Sequence, residues 1–109
     1  MKRGDIYAVS APGDFGKPRP AVIVQNDLLN QLEVASVIIC PFTGTMTDAA
    51  LFRITVDPNP QNGLAKPSQI MVDKIQTVTL KRLGDRIGRI SDEQMVRLNR
   101  TLAFVMGIG

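Results

Sequence analysis

The sequence predicts a small β-rich (α+β) domain, in which six or seven short strands form a barrel or strongly twisted antiparallel sheet and one helix packs on it. Two observations support this. Apolar runs of strand length recur between turn residues up to Ile90, and after Ser91 the apolar residues change to helical spacing. A chain of 109 residues fits a single domain, 1–109, since domains commonly have about 100–150 residues.

The strand predictions follow from composition and turn signals. The run 21–24 is continuously apolar, as in a strand buried on both faces, whereas 51–56 alternates apolar and polar residues, as in a half-buried strand. Pro41 is expected to end the third strand. The predicted strands are residues 6–9, 21–24, 34–40, 51–56, 70–72 and 86–90, with 28–32 as one helical turn and 74–78 as a strand or short turn.

The C-terminal helix has clear start and stop signals. Ser91 is a suitable N-cap, and Gln94 stands three residues later to complete a capping box. Gly107 is placed to end the helix. One apolar face is expected, for the core or a dimer contact, from Met95, Leu98, Leu102 and Val105.

The most restrictive feature of the composition is the absence of histidine. It excludes Ser-His-Asp and Cys-His nucleophile arrangements, most zinc sites and two-histidine ribonuclease chemistry. Cys40 is the one cysteine, so no internal disulfide can form. The net charge of +3 is a weak indication of a polyanionic partner. Without a signal-peptide pattern or a membrane-spanning apolar run, a cytoplasmic protein that contacts no membrane is expected.

Arg19 is a candidate functional residue from its local sequence, whereas Thr43, after Pro41 and Phe42 at the end of a strand, is first interpreted as a turn threonine. Arg19 stands between Pro18 and Pro20, and the second ring favours an extended backbone for the arginine. A guanidinium on such a stiff segment suits a phosphate, because its fork matches two phosphate oxygens. The simpler alternatives are an exposed arginine on a proline-rich loop and a turn threonine that bonds its own backbone.

Several segments, in order and spacing, resemble the MazF/PemK/Kid toxin family along essentially the whole chain. These segments are Lys2-Arg3-Gly4-Asp5-Ile6-Tyr7, Arg19-Pro20-Ala21-Val22, Gln25-Asn26-Asp27, Pro41-Phe42-Thr43, Asn62-Gly63-Leu64, Val72-Asp73-Lys74-Ile75 and Ile87-Gly88-Arg89-Ile90-Ser91. The resemblance implies an SH3-like barrel with a C-terminal helix and a homodimer. It also implies a sequence-specific, ribosome-independent, metal-independent endoribonuclease without a cofactor. The implied partners are single-stranded RNA, a small acidic antitoxin and, only through the antitoxin complex, operator DNA.

The resemblance also implies roles for individual residues. Arg19 matches the family's catalytic arginine, and Thr43 corresponds to its strand-end threonine or serine. The RNA 2′-hydroxyl would then attack the adjacent phosphorus, while Arg19 stabilises the phosphoryl oxygens and Thr43 assists. Substrate contacts are expected from Asp14, Phe15, Lys17, Asp73, Lys74, Arg82 and Arg86, with Lys81 as a further nearby cation.

The chain departs from parts of the family. Some members carry a His-Glu pair in the first loop, where this chain has Gly13 and Asp14. Kid-like members place an arginine where this chain has Met71, two residues before Asp73. These departures favour chemistry by Arg19 and Thr43 over a two-residue acid–base scheme.

Two alternatives remain open from the sequence. A gyrase inhibitor of the CcdB type has a related fold, and the tail 106–109 faintly resembles that family's Trp-Gly-Ile ending, although tryptophan is missing. A catalytically dead nucleic-acid-binding relative is the second alternative.

Overall fold

The computed structural model describes residues 1–14, 16–48 and 51–109. Across these ranges the chain forms seven strands and two α-helices. The strands are β1 (Asp5–Val9), β2 (Arg19–Ile23), β3 (Ser36–Thr43), β4 (Arg53–Val56), β5 (Ser68–Met71), β6 (Gln76–Thr79) and β7 (Leu83–Arg89). The helices are α1 (Asp27–Gln31) and α2 (Asp92–Met106).

All strand pairings in the sheet are antiparallel, in the order β4-β5-β3-β2-β1-β7. The long strand β3 borders β2 on one side, and on the other it pairs first with β6 and then with β5. The prediction of a twisted antiparallel sheet with a C-terminal helix is therefore confirmed.

The sheet does not close into a barrel, so the barrel alternative is corrected. In the part of the chain that the structure describes, β4 and β7 do not pair with each other. The loop after β4 lies against β7 instead, because the Arg89 N–H donates to the Gln61 carbonyl at 3.0 Å. This loop contact takes up the outer edge of β7 that a closing strand would need.

The prediction that Pro41 ends the third strand is wrong, because β3 continues to Thr43. The Val24 N–H donates to the Ile38 carbonyl at 3.1 Å, and the same register sets Ala21 opposite Pro41. Hydrogen-bonded and non-bonded pairs alternate along an antiparallel ladder, so the Pro41 nitrogen points away from β2. On the other side of β3, the pairing with β6 extends only to Ile39 and the pairing with β5 starts at Phe42. Pro41 lies between the two, so no ladder hydrogen bond is lost.

Buried side chains lie on both faces of the sheet. Along β2, Val22 belongs to one apolar cluster, whereas Ala21 and Ile23 belong to another. This alternation confirms that the second strand is buried on both faces. Leu98 and Leu102 of α2 pack into the cluster that contains Val22 and cover that face of the sheet.

The predicted helix signals are confirmed. Ser91 caps α2 and forms the capping box with Gln94, and Gly107 ends the helix with a φ of 70°. The Asn26 side chain accepts from the Leu28 N–H and caps the short helix α1. In the described part of the chain, neither helix has the length and apolar character that crossing a membrane requires.

The remaining differences concern element boundaries. The strand predicted at 51–56 begins at Arg53, and the one predicted at 70–72 begins earlier and ends in a 3-10 turn at Val72–Lys74. The ambiguous segment 74–78 forms β6, which pairs with the first half of β3. The last strand begins at Leu83 rather than at Arg86.

Candidate active site

The pairing of β2 with β3 brings the two predicted catalytic residues together. Arg19 is the first residue of β2, and Thr43 is the last residue of β3. The β2–β3 pairing extends to Ala21 opposite Pro41, and Arg19 and Thr43 lie two residues beyond this last pair. Both residues border the same cleft at this end of the sheet.

Two hydrogen bonds hold the Arg19 guanidinium. Its Nη2 donates to Asp14 Oδ1 at 2.7 Å, and its Nη1 donates to the Phe42 carbonyl at 3.3 Å. A guanidinium has five N–H donors, so these contacts leave others available for a ligand. The side chain is 38% exposed. The arginine is therefore positioned by the protein and still accessible from solvent.

The Thr43 hydroxyl has one contact with the loop that follows β3. Its Oγ1 accepts a hydrogen bond from the Thr45 N–H at 3.1 Å. This is the backbone contact that the turn-threonine alternative predicts. A hydroxyl that accepts in this way keeps its own proton as a donor, so Thr43 can still donate a hydrogen bond to a ligand in the cleft.

Arg19 stands between two clefts. One has a volume of about 330 Å³ and is bordered by Thr43, Gly44 and Lys66 as well as by apolar residues. The other, of about 280 Å³, is bordered by Asp14 and Lys74. Both clefts include Arg19, so a ligand that occupies both lies against this residue.

The structure brings some of the predicted substrate contacts to this site. Asp14 borders the second cleft, but its carboxylate accepts a hydrogen bond from Arg19, so its direct contact is with the arginine. Lys74 borders the same cleft. Lys17 is exposed on the loop before β2, where its backbone N–H donates to the Asp14 carbonyl at 2.9 Å. Phe15 lies outside the described residues.

Asp73 is bound to a residue that the sequence analysis did not select. Arg53 holds it through two hydrogen bonds, Nε to Oδ1 at 2.8 Å and Nη2 to Oδ2 at 3.2 Å. The hydrogen bonds from Arg53 lower the pKa of the Asp73 carboxyl below its ordinary value. Arg53 lies directly opposite Met71 in the β4–β5 register, beside the position where Kid-like members carry an arginine. No sequence signal identifies Arg53, because the pairing joins residues far apart in the chain.

Arg82 and Arg86 lie at the β1–β7 side of the sheet, and neither borders the two clefts. Arg82 Nη1 donates to the Ser10 carbonyl at 2.9 Å, and Arg86 Nη2 donates to Asp5 Oδ1 at 3.3 Å. Burial of Asp5 would raise its pKa, but hydrogen bonds from the Lys2 N–H and from Arg86 and Arg89 lower it below the ordinary value. Asp5 is only 8% exposed. We infer that Arg86 first neutralises a buried carboxylate.

Lys66 is a cleft residue that the sequence analysis missed. It borders the larger cleft together with Arg19 and Thr43. One sequence signal exists: Lys66 precedes Pro67 just before β5, as Arg19 precedes Pro20 at the start of β2. Within residues 1–14, 16–48 and 51–109, no three His, Cys, Asp or Glu side chains gather as a metal-ligand group.

Comparison with known proteins gives consistent matches along the chain. The profile of the family described as "PemK-like, MazF-like toxin of type II toxin-antitoxin system" matches residues 2–106. A curated relative from Mycolicibacterium smegmatis, "Probable endoribonuclease MazF", is 45% identical over 109 residues, which is 99% of this chain and 98% of the relative.

Solved structures match the fold over nearly the full length. "Mycobacterium tuberculosis toxin MazF-mt6" superposes with a TM-score of 0.82 at 25% identity, covering 96% of this chain and 98% of that one. "Endoribonuclease in complex with its cognate antitoxin from Mycobacterial species" gives a TM-score of 0.80 at 26% identity, covering 100% and 97%.

Proposed function

Because this chain belongs to the PemK-like, MazF-like toxin family of type II toxin–antitoxin systems and is an endoribonuclease toxin of that family, we propose that it cuts single-stranded RNA with Arg19 and Thr43 as its catalytic residues. The cleavage is sequence-specific and requires neither a metal nor a ribosome. One observation carries the assignment: an accessible guanidinium is held by Asp14 at the start of β2 and borders two clefts, one of which Thr43 also borders.

The substrate supplies the nucleophile in this mechanism. The ribose 2′-oxygen attacks the adjacent phosphorus, and the bond from phosphorus to the 5′-oxygen breaks. The products are a 2′,3′-cyclic phosphate and a 5′-hydroxyl, and the proton lost from the 2′-hydroxyl is balanced by the one gained at the 5′-oxygen. Arg19 stabilises the negative charge on the phosphoryl oxygens, and Thr43 donates a further hydrogen bond. The two clefts orient the strand on either side of the reacting phosphate.

The partners follow from the family. We propose a homodimer that is inhibited by a cognate acidic antitoxin. A disordered acidic segment of the antitoxin folds onto the clefts beside Arg19 and displaces RNA. Operator DNA is contacted only through the toxin–antitoxin complex. The site of action is the bacterial cytoplasm, where mRNA is available and the thiol of Cys40 stays reduced.

The activity is tested with purified protein and single-stranded RNA in the presence of EDTA. We expect cleavage, and sequencing of the fragment ends should show one preferred site with 2′,3′-cyclic phosphate and 5′-hydroxyl termini. A DNA gyrase supercoiling assay is run beside it. Gyrase inhibition without RNA cleavage would overturn the proposal in favour of a CcdB-type inhibitor.

The role of Arg19 is tested by Arg19→Ala. We expect kcat to fall about 10²- to 10³-fold, as when a donor to a developing oxyanion is removed. The free energy of unfolding should change by no more than about 1 kcal/mol, because the ion pair with Asp14 is partly exposed. Arg100→Ala, on the exposed surface of α2, is the matched control. RNA cleavage by Arg19→Ala at the parental rate would refute the assigned site.

A further inference from the structure

We propose that Lys66 forms a second phosphate-binding subsite in the larger cleft, which holds the phosphodiester of a nucleotide adjoining the scissile one. The inference rests on the proposed function, because it takes single-stranded RNA as the ligand of the cleft. Lys66 acts as a binding and positioning residue, whereas Arg19 contacts the reacting phosphate.

The ammonium of Lys66 lies next to the predicted catalytic residues. Lys66 and Arg19 border the same cleft of about 330 Å³. A Cβ atom built on Gly44 would lie 2.7 Å from Lys66 Nζ and 2.8 Å from its Cε. The ammonium therefore occupies the space above Gly44, the residue directly after Thr43. A side chain at position 44 would therefore displace the end of Lys66 from this place.

The positive charge of Lys66 has no carboxylate partner in the described part of the chain. The ion pairs there use Arg19 with Asp14, Arg53 with Asp73, and Arg86 and Arg89 with Asp5. Lys66 is exposed and takes part in none of them. A cation in a cleft without a protein counter-charge attracts an anionic ligand, and the cleft walls reduce screening by solvent.

The backbone that carries Lys66 is restrained. Pro67 limits the preceding residue to extended conformations, and the Ser68 hydroxyl donates to the Lys66 carbonyl at 3.0 Å. Ser68 itself is buried as the first residue of β5. Less backbone freedom is then lost when the ammonium binds a phosphate. The alternative is a solvated lysine at the rim of the cleft, without a ligand.

The subsite is tested with Lys66→Met, Lys66→Arg and, as the matched control, Lys2→Met on an exposed lysine that does not border the clefts. The substrate is the RNA oligonucleotide defined by end mapping. We expect Lys66→Met to raise KM about tenfold with kcat nearly unchanged. Lys66→Arg should keep KM within about threefold of the parent, since the charge is retained. For Lys66→Met, the magnitude of the slope of log affinity against log salt should fall by about 0.7, the value of one single-strand phosphate contact.

Two thermodynamic cycles locate the contact. Binding is measured by fluorescence anisotropy on RNA with a 2′-O-methyl group at the cleavage position, which removes the nucleophile. Single phosphates in it are replaced one at a time by uncharged methylphosphonates. At one position near the scissile phosphate, the replacement should weaken binding by the parent and leave binding by Lys66→Met unchanged. Likewise, Gly44→Ala should weaken binding by the parent but have no effect in the Lys66→Met background.

The outcomes separate this inference from the proposed function. If the parent cuts RNA but Lys66→Met matches Lys2→Met in KM and salt slope, the subsite is refuted and the nuclease assignment stands. The subsite is also refuted if every methylphosphonate that weakens binding by the parent weakens binding by Lys66→Met to the same extent. If the parent does not cut RNA, both proposals fall. Unchanged thermal unfolding of each variant shows that the fold is intact.

Discussion

Asp14 is predicted to increase kcat by holding Arg19, and Asp14→Ala tests this directly. The carboxylate contacts Nη2 at 2.7 Å and is 16% exposed, whereas the other contact of the guanidinium, to the Phe42 carbonyl, is 3.3 Å long. Without Asp14 the 38% exposed guanidinium retains only that longer hydrogen bond. A displacement of about 1 Å in an active site can cost on the order of 10²-fold, so we expect kcat to fall about 10- to 100-fold.

The direction of the KM change distinguishes positioning from substrate binding. Removal of a negative charge beside a phosphate site should leave KM unchanged or lower it, whereas loss of a substrate contact would raise it. The free energy of unfolding should change by about 1 kcal/mol or less, because the pair is partly exposed. Asp14→Asn keeps an acceptor oxygen without the charge, so its kcat should lie between those of Asp14→Ala and the parent.

A double-mutant cycle decides whether the effect passes through Arg19. Single-turnover cleavage of the mapped oligonucleotide is measured for Asp14→Ala, Arg19→Ala and the double variant. If Asp14 acts by holding the guanidinium, its removal costs little once the guanidinium is gone. An equal loss in both backgrounds would refute the reasoning, as would parental kcat in Asp14→Ala.

The remaining predictions concern the fold around the site. Arg53→Met should destabilise the protein by about 1 kcal/mol in urea at about pH 7 and by less at about pH 2.5. Because the pKa of Asp73 is lowered in the folded protein, its ion pair with Arg53 stabilises the fold above the ordinary carboxyl pKa. This stabilisation is lost as the pH falls through the folded-state pKa of Asp73. An equal loss at both pH values would contradict this. Gly88→Ala should lower the free energy of unfolding by about 1–3 kcal/mol or more, since its Cβ would lie 2.4 Å from backbone atoms of the loop after β4. Gly84→Ala is the control, because there the nearest atom is 3.3 Å from the added Cβ. Similar urea midpoints for the two variants would refute this prediction. Burial raises the pKa of the Cys40 thiol to about 12, so iodoacetamide at about pH 8 should label Cys40 only as fast as the protein unfolds, and rapid labelling of the native protein would show the thiol to be accessible.

Local sequence signals predicted the elements whose causes are local. Ser91, Gln94 and Gly107 determine the limits of α2 through contacts within a few residues, and the apolar run of β2 indicates burial on both faces without knowledge of its neighbours. Pro41 shows where this reasoning fails. Its compatibility with β3 depends on which strand lies beside each half of β3, and that is a property of the whole sheet.

The candidate site was predictable to the extent that the family resemblance pointed to it. Local sequence alone offered Arg19 as a candidate and left Thr43, 24 positions away, as a turn threonine. The pairing of β2 with β3 is what brings the two residues to one cleft. Lys66 and Arg53 were missed for the same physical reason. Each reaches its position through pairing of distant segments, and no composition or periodicity rule encodes that register.

Without histidine, the proposed cleavage depends on the charge and position of the cations at the site. Arg19 and Lys66, which border the larger cleft, and Lys17 on the loop before β2 each directly precede a proline. Lys and Arg side chains are among those that lose most rotamer freedom when they become ordered. The following proline limits the backbone of each cation to extended angles before any ligand arrives. Part of the entropy that the chain would otherwise lose on binding a phosphate is therefore already lost on folding. Replacement of Pro20 or Pro67 by alanine should for this reason weaken RNA binding without removing any charge, and unaltered affinity would show that the prolines serve only the strand ends.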